Sequence, residues 1–249
     1  MLFGKCISAQ NLSPNYIPLW LIIKLPLIIL IGLAFIPFTE KNIFNKDKNK
    51  IFVGTLLVTV LIIPVLFIFK NVILYDELRQ ILFLVPLFFI LGMTSINYFS
   101  KKISYFLTFF FLIFFLCENI IIFPYQYSWL NIPSRFNNIN NNFDSDYWGV
   151  SGRNLANYLS KTEEIYEDGI CIFGSPYHSF KPFLNPEKFN CFKPDSQLHF
   201  KNKRPFLGIQ IGKNLRRSIP NNCIVINEEH FRFLFHKEKI TTGRLIYCS

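Results

Sequence analysis

The sequence predicts a membrane α-helical bundle of about four transmembrane helices, followed by a small α/β extracytoplasmic domain. Of the 249 residues, 51% are hydrophobic and only 17% are charged, whereas soluble domains carry about 25% charged residues. The apolar residues are concentrated in four long runs before residue 124. The remaining residues have the mixed composition of a folded domain. We therefore expect a membrane domain over 1–123 and an α/β domain over 124–249.

The four apolar runs lie at about 17–36, 51–69, 81–99 and 103–123. Each has the roughly 20 apolar residues that a helix needs to cross a bilayer. The first run contains Lys24 and the fourth contains Glu118. Because charges inside a span are costly, these two side chains either pair with each other or reach the outer headgroups separately.

The loops between the runs predict the orientation. Residues 37–50 and 100–102 carry six lysines, whereas the loops on the alternate side carry three basic residues. Lysine-rich loops remain in the cytoplasm. This predicts a multi-pass protein of the inner (plasma) membrane, with residues 124–249 on the outer side.

Helix and strand signals alternate in the second domain. Ser151 suits a helix N-cap, with a helix to about residue 160, and a second short helix is expected at 228–236. Buried strands are expected at 170–173, 206–211, 223–226 and 245–248. Cysteines 171, 191, 223 and 248 either form disulfides, with three possible connectivities, or serve as small buried apolar residues.

The loop before the third run contains the main binding candidates. Arg79 stands at the start of that run, where a guanidinium can hold a phosphate through paired hydrogen bonds or anchor the helix to headgroups. Tyr75, Asp76 and Glu77 precede it. The two acids can orient the arginine, bind a cation or remain solvated.

A second candidate cluster lies early in the α/β domain, at Asp146, Tyr147 and Trp148, with Asp144 two residues before it. Carboxylates accept hydrogen bonds from sugar hydroxyls, and aromatic rings pack against sugar C–H groups. The alternative is a Tyr–Trp belt at the membrane surface.

Three stretches, in order, resemble the polytopic membrane glycosyltransferases of the GT-C type, which include the protein mannosyltransferases and the aminoarabinose transferases. One motif of that family is matched by Tyr75, Arg79, Leu82, Phe83 and Pro86, although Gln80 replaces its usual His. The other two stretches are Tyr16-Ile17-Pro18 with Lys24-Leu25-Pro26, and Phe123-Pro124-Tyr125-Gln126-Tyr127 with Asn131 and Phe143-Asp144-Ser145-Asp146-Tyr147-Trp148-Gly149.

The resemblance implies transfer of a sugar from a polyprenyl-phosphate-linked donor to an envelope acceptor. Arg79 and Lys24 would bind the donor phosphate, and Tyr75, Asp76, Glu77, Asp146, Tyr147 and Trp148 would bind substrate. The catalytic acid of that family lies upstream of the matched part. The chain is therefore expected to be a C-terminal portion, inactive alone, that works with an upstream half or a partner subunit; its own catalytic residues are unknown.

No cofactor is predicted, although some branches of the family use a divalent metal. The histidines lack metal-ligand spacing, and the glycines match no nucleotide-binding fingerprint. Without a clustered basic face, nucleic-acid binding is not expected. The alternative function is a non-catalytic, membrane-anchored protein that binds a partner or a glycan.

Overall fold

The computed structural model describes residues 3–4, 12–43, 47–74, 77–136, 138–162, 171–175, 180–187, 189, 191–193, 205–212, 215, 218–219 and 221–248. The chain forms two compact units. The first unit comprises Met1–Ile120 with Trp129–Asn137, and the second comprises Ile121–Ser128 with Asn138–Ser249. Residues 129–137 therefore belong to the apolar unit, although they follow its last helix in sequence.

The first unit is helical. Its α-helices are α1 (Tyr16–Lys24), α2 (Leu27–Ile43), α3 (Asp47–Phe69), α4 (Leu84–Phe99) and α5 (Lys101–Ile121). Short 3₁₀ turns lie at Arg79–Ile81 and Pro133–Phe136.

Two helical stretches, Lys50–Phe69 and Lys101–Ile121, are long and apolar enough to cross a membrane. A third span is formed if α1 and α2 are counted together, but they are bent by 116°. The bend falls at Leu25, which is extended, because Pro26 lacks an N–H and disfavours helical backbone before it. The third predicted run forms only the 16-residue α4. Among the described residues, length and composition thus support two or three spans.

Helices α2 and α4 pack closely because small residues face each other. A Cβ added to Gly32 would overlap the backbone of Gly92, and a Cβ on Gly92 would lie 2.9 Å from the carbonyl oxygen of Ile29. Further along the same pair of helices, the Thr39 and Ser95 hydroxyl oxygens are 3.0 Å apart in a buried hydrogen bond. Such contacts are typical of helix pairs in membranes.

The second unit is α/β. It contains a 3₁₀ turn at Gln126–Ser128, α6 (Ile139–Asn142), α7 (Ser151–Lys161), a 3₁₀ turn at Lys181–Phe183 and the strands β1 (Cys171–Ser175), β2 (Cys191–Lys193), β3 (Phe206–Ile211), β4 (Cys223–Phe231) and β5 (Ile240–Cys248). The sheet order is β2-β1-β3-β5-β4. The β1 strand pairs in parallel with β2 and β3, whereas β5 pairs antiparallel with β3 and β4.

Helix α7 covers the sheet and closes the core of this unit. Leu155, Ala156 and Leu159 are fully buried against Leu207, Ile209 and Leu245. The helix crosses β5 at Gly243, where an added Cβ would lie 2.6 Å from the Ser151 Oγ. The helix expected from Ser151 to about residue 160 is confirmed at 151–161.

Two local predictions for this unit are wrong. The short helix expected at 228–236 does not form; β4 extends to Phe231, and a hairpin then leads into β5. Ser151 is the first residue of α7 and not its N-cap, which is Val150. The strand expected at 206–211 is confirmed.

A disulfide joins Cys223 in β4 to Cys248 in β5, and the two residues are direct partners across the antiparallel pair. Within the described residues, Cys117 in α5 is a free cysteine.

Candidate functional site

Lys24 and Glu77 form an ion pair in the first unit. Lys24 is the last residue of α1, and its Nζ lies 2.6 Å from the Glu77 Oε2, with 13% and 9% of the two side chains exposed. The Lys24 Nζ also lies 5.6 Å from the centre of the Trp20 ring. The pair therefore holds the loop before α4 against the end of α1.

Arg79 begins the 3₁₀ turn two residues after Glu77, and its side chain is exposed. Two residues span at most about 7 Å between Cα atoms, so Lys24, Glu77 and Arg79 share one region of the unit. Buried Leu78 fixes the loop between the two charges. The predicted residues Tyr75 and Asp76 lie outside the described part of the chain.

Gln80, next to Arg79, has an unusual environment. Its amide nitrogen and oxygen are both buried, and neither makes a hydrogen bond within the described part of the chain. Leaving a buried polar group unsatisfied costs about 1–3 kcal/mol. A polar group that reached this amide would recover that cost.

An apolar cavity of about 240 Å³ opens near the break between α1 and α2. Its lining includes Pro26, Ile29, Phe89, Met93, Phe111 and Phe115. An engineered apolar cavity of about 150 Å³ is large enough to bind benzene. This cavity can therefore hold a branched hydrocarbon segment.

Glu118 does not pair with Lys24. It is fully buried near the end of α5, and its carboxylate accepts two hydrogen bonds from the Arg135 guanidinium and one from the Trp129 indole nitrogen at 2.7 Å. Neither expectation for these two charges was correct: they do not pair with each other, and Glu118 does not reach the headgroups separately, because residues 129–136 fold back over the end of α5.

The same returning segment satisfies the end of α1. The Asn131 side-chain amide donates to the carbonyl oxygens of Ile22 and Leu25, and its backbone N–H donates to Ile23 at 3.0 Å. The last carbonyls of a helix have no partner within the helix, and Pro26 cannot supply one. Asn131 thus caps α1 where the chain bends.

In the second unit, Asp146 is 1% exposed and accepts four hydrogen bonds. Val150 and Ser151 each donate a backbone N–H at 2.9 Å, and the Ser151 and Tyr127 hydroxyls also donate. A carboxylate has about four acceptor positions. Asp146 therefore fixes the start of α7 and has little capacity left for a ligand.

Tyr147 and Trp148 meet Tyr127, which the sequence did not single out. The Tyr127 and Trp148 rings stack with centroids 4.9 Å apart, and the Tyr127 and Tyr147 rings meet edge to face at 5.1 Å. The Trp148 side chain is 53% exposed. We call these three residues the aromatic cluster. In it, the exposed Trp148 ring is held in place by stacking on Tyr127.

Burial controls the ionisation of the tyrosines here. Burial, followed by the negative charge of Asp146, raises the pKa of Tyr127 well above its ordinary value of 10.0. Burial also raises the pKa of Tyr125 to about 12. Both phenols therefore stay neutral at physiological pH, and Tyr127 remains the donor to Asp146.

The structure thus divides the predicted residues between the units, with Lys24, Glu77 and Arg79 in the first and Asp146, Tyr147 and Trp148 in the second. Sequence reasoning missed Trp129 and Arg135. The useful signal was Glu118, because a carboxylate inside a span requires a cationic partner.

Within the described residues, no group of three His, Cys, Asp or Glu side chains could hold a metal ion.

No family model matches the chain, and neither the curated proteins nor the solved structures include a match.

Proposed function

We propose that the chain binds a polyprenyl-phosphate-linked sugar and forms the C-terminal part of a membrane glycosyltransferase that uses this donor for an envelope acceptor. One observation carries the proposal: an ion pair holds Lys24 and Glu77 together at the broken end of α1, and Arg79 follows Glu77 by two residues. An apolar cavity begins at the next residues, Leu25 and Pro26. An anionic head on a hydrocarbon tail suits this combination.

The phosphate would be held by charge-assisted hydrogen bonds. Arg79 is exposed and offers a fork of donors that matches a phosphate. Lys24 would share its charge between the phosphate and Glu77. Basic groups in this position would also stabilise the phosphate that leaves when the sugar is transferred.

The proposal includes the topology expected from the sequence: four spans in the inner membrane, with the second unit outside. The exposed apolar faces of α3 and α5 support burial in lipid. The aromatic cluster of the second unit, with its exposed Trp148, supports a sugar-binding surface there. Asp146 would act by holding Tyr127 and α7 in place.

Binding measurements on the purified full chain in nanodiscs test the proposal directly. The ligands are a fluorescent polyprenyl phosphate and the matching unphosphorylated polyprenol. A lost hydrogen bond to a charged group is worth about 1.5–3 kcal/mol, so Arg79→Gln should weaken phosphate binding about 10- to 100-fold. Its affinity for the polyprenol should not change.

Arg153→Gln is the matched control, because Arg153 is an exposed arginine in the second unit and should bind like the parent. If Arg79→Gln leaves phosphate binding intact, Arg79 is only a headgroup anchor. If the parent chain binds the phosphate and the polyprenol equally, the donor site is refuted.

A further inference from the structure

The loop between β4 and β5 carries the most exposed large apolar side chain described in the second unit. We call residues 232–239 the hairpin tip. Phe235 in this tip is 89% exposed. By contrast, Phe231 and Phe233 just before it are 5% and 1% exposed, and their rings meet edge to face with centroids 5.2 Å apart. The two buried rings thus anchor the loop, and the third ring is exposed on it.

The backbone at Phe235 is in a conformation that a bulky residue disfavours. Its φ is +61°, in the left-handed region where Gly and Asn are the usual residues. Folding alone would favour one of those residues at this position. A strained backbone that carries an exposed ring points to a function for that ring.

Basic residues flank Phe235 in the sequence of the tip. Arg232, Lys237 and Lys239 are exposed, and Glu238 is the one acidic residue in the tip, which gives a net charge of +2 with His236 neutral. Anionic lipid headgroups attract exposed Lys and Arg near a membrane surface. An apolar ring flanked by cationic side chains is the composition of an interfacial membrane anchor.

We propose that the hairpin tip docks on the surface of an anionic lipid bilayer, with Phe235 in the headgroup–acyl boundary and the three basic side chains against headgroup phosphates. The bilayer is the favoured occupant because the exposed basic side chains of the tip complement anionic headgroups, and the tip is covalently tethered to apolar helices that are long enough to cross a membrane. This inference does not depend on the sugar-transfer proposal.

Site-specific photocrosslinking in the full chain, reconstituted in phosphatidylcholine–phosphatidylglycerol vesicles, tests the contact. p-Benzoylphenylalanine in place of Phe235 should form a covalent lipid adduct, identified by mass. The same probe in place of Ile224 is the matched control. Ile224 is also apolar and 67% exposed, but it lies seven residues from Phe231 along β4, about 23 Å from the tip.

The proposal requires more lipid adduct at position 235 than at 224. Equal yields at both positions, or a crosslink from 235 to protein alone, would overturn it. A crosslink within the chain would instead place the ring on the chain itself, and one between chains would place it on a second copy.

Trypsin cleavage at the tip gives an independent measurement. Transfer of an exposed Phe out of water is worth about 1.5–3 kcal/mol, so Phe235→Asn should speed cleavage after Lys237 in these vesicles about 10- to 100-fold. Because Asn suits the left-handed backbone, thermal stability in detergent should be equal or higher. Phe235→Leu, which keeps an apolar side chain, should stay protected.

The basic residues are tested by omitting the anionic lipid. Each exposed Lys or Arg near an anionic surface is worth about 1 kcal/mol, so Arg232→Gln, which keeps the trypsin site after Lys237, should weaken docking about fivefold in vesicles with phosphatidylglycerol. It should have no effect in phosphatidylcholine alone. If the tip resists trypsin equally in both lipid mixtures, and equally in the parent and in Phe235→Asn, then protein and not lipid shields it.

Discussion

Glu118 has a buried charge that depends on Arg135. The Glu118 carboxylate is fully buried, and the Arg135 side chain is 5% exposed. Arg135 also donates through Nε to the carbonyl oxygen of Leu130 at 2.8 Å, and its guanidinium lies 5.6 Å from the centre of the Trp129 ring. Every charged atom of the pair therefore has a partner, as a buried ion pair requires.

Removing one charge of this pair should destabilise the first unit strongly. In Glu118→Gln, the Arg135 guanidinium remains buried without a counter-charge, and such a loss costs about 3–5 kcal/mol. Thermal unfolding in detergent, followed by tryptophan fluorescence in a background where Trp148 of the second unit is replaced by Phe, measures the effect. The double variant Glu118→Gln with Arg135→Gln should recover part of the loss, because no unpaired charge remains. If the double variant loses as much stability as Glu118→Gln and Arg135→Gln lose in sum, the two charges act independently.

At the scale of the element, Asp146 determines where α7 begins. Its two oxygens accept backbone N–H groups from the first turn, and Tyr127 joins the same carboxylate to the aromatic cluster. A helix leaves its first N–H groups without partners inside the helix, so this carboxylate replaces the N-cap that the sequence assigned to Ser151. Because Tyr127 donates to the same carboxylate, Asp146 also joins the start of α7 to the rings of the aromatic cluster.

Asp146→Asn should therefore lower stability and loosen the aromatic cluster together. An amide has one acceptor oxygen where the carboxylate has two, and each Asp146 oxygen accepts from one backbone N–H and one hydroxyl. The hydroxyl can turn to accept from the new NH2 group, but the backbone N–H loses its partner, at a cost of about 1–3 kcal/mol. Unfolding curves and the near-UV circular dichroism of the tyrosine and tryptophan rings measure both effects. Glu187→Gln, an exposed carboxylate in the same unit, should change stability by at most about 0.5 kcal/mol. If Asp146→Asn folds unchanged but loses sugar binding, Asp146 is a ligand-binding residue.

The elements that the sequence predicted well are those determined by local pattern. The apolar runs in α3 and α5, the strand at 206–211 and the amphipathic α7 follow from their own residues. The region 228–236 was assigned to the wrong class because Glu228, Glu229 and His230 resemble an exposed helix. They form a strand because β5 pairs with them, and long-range pairing overrides local propensity.

The candidate site was only partly predictable for a similar reason. Lys24 and Arg79 could be found because charges are conspicuous in or beside apolar runs. Their arrangement could not, because it depends on the bend at Pro26 and on the Glu77 contact. Arg135 was missed because it becomes a partner of Glu118 only when residues 129–136 return to the end of α5.

At the scale of the whole molecule, two independent observations bear on orientation. The lysine count predicts that the second unit lies outside the cytoplasm. That unit also contains the Cys223–Cys248 disulfide, and structural disulfides persist in oxidising compartments but are rare in the cytosol. Charge distribution and cysteine chemistry thus favour the same side of the membrane.

The disulfide gives a quantitative test of this orientation. The cysteines are 25 residues apart, and closing a loop of that length stabilises a fold by about 3.5 kcal/mol on the chain-entropy estimate. Cys248→Ser should therefore lower the stability of the second unit by about this amount, whereas Cys117→Ser in the first unit should not. Acid-trapping of whole cells followed by thiol alkylation should find Cys223 and Cys248 protected until a reductant is added. If they are alkylated without reduction, the second unit lies in a reducing compartment, and the proposed outer-face reaction must be abandoned, because its donor site was assigned to the same side.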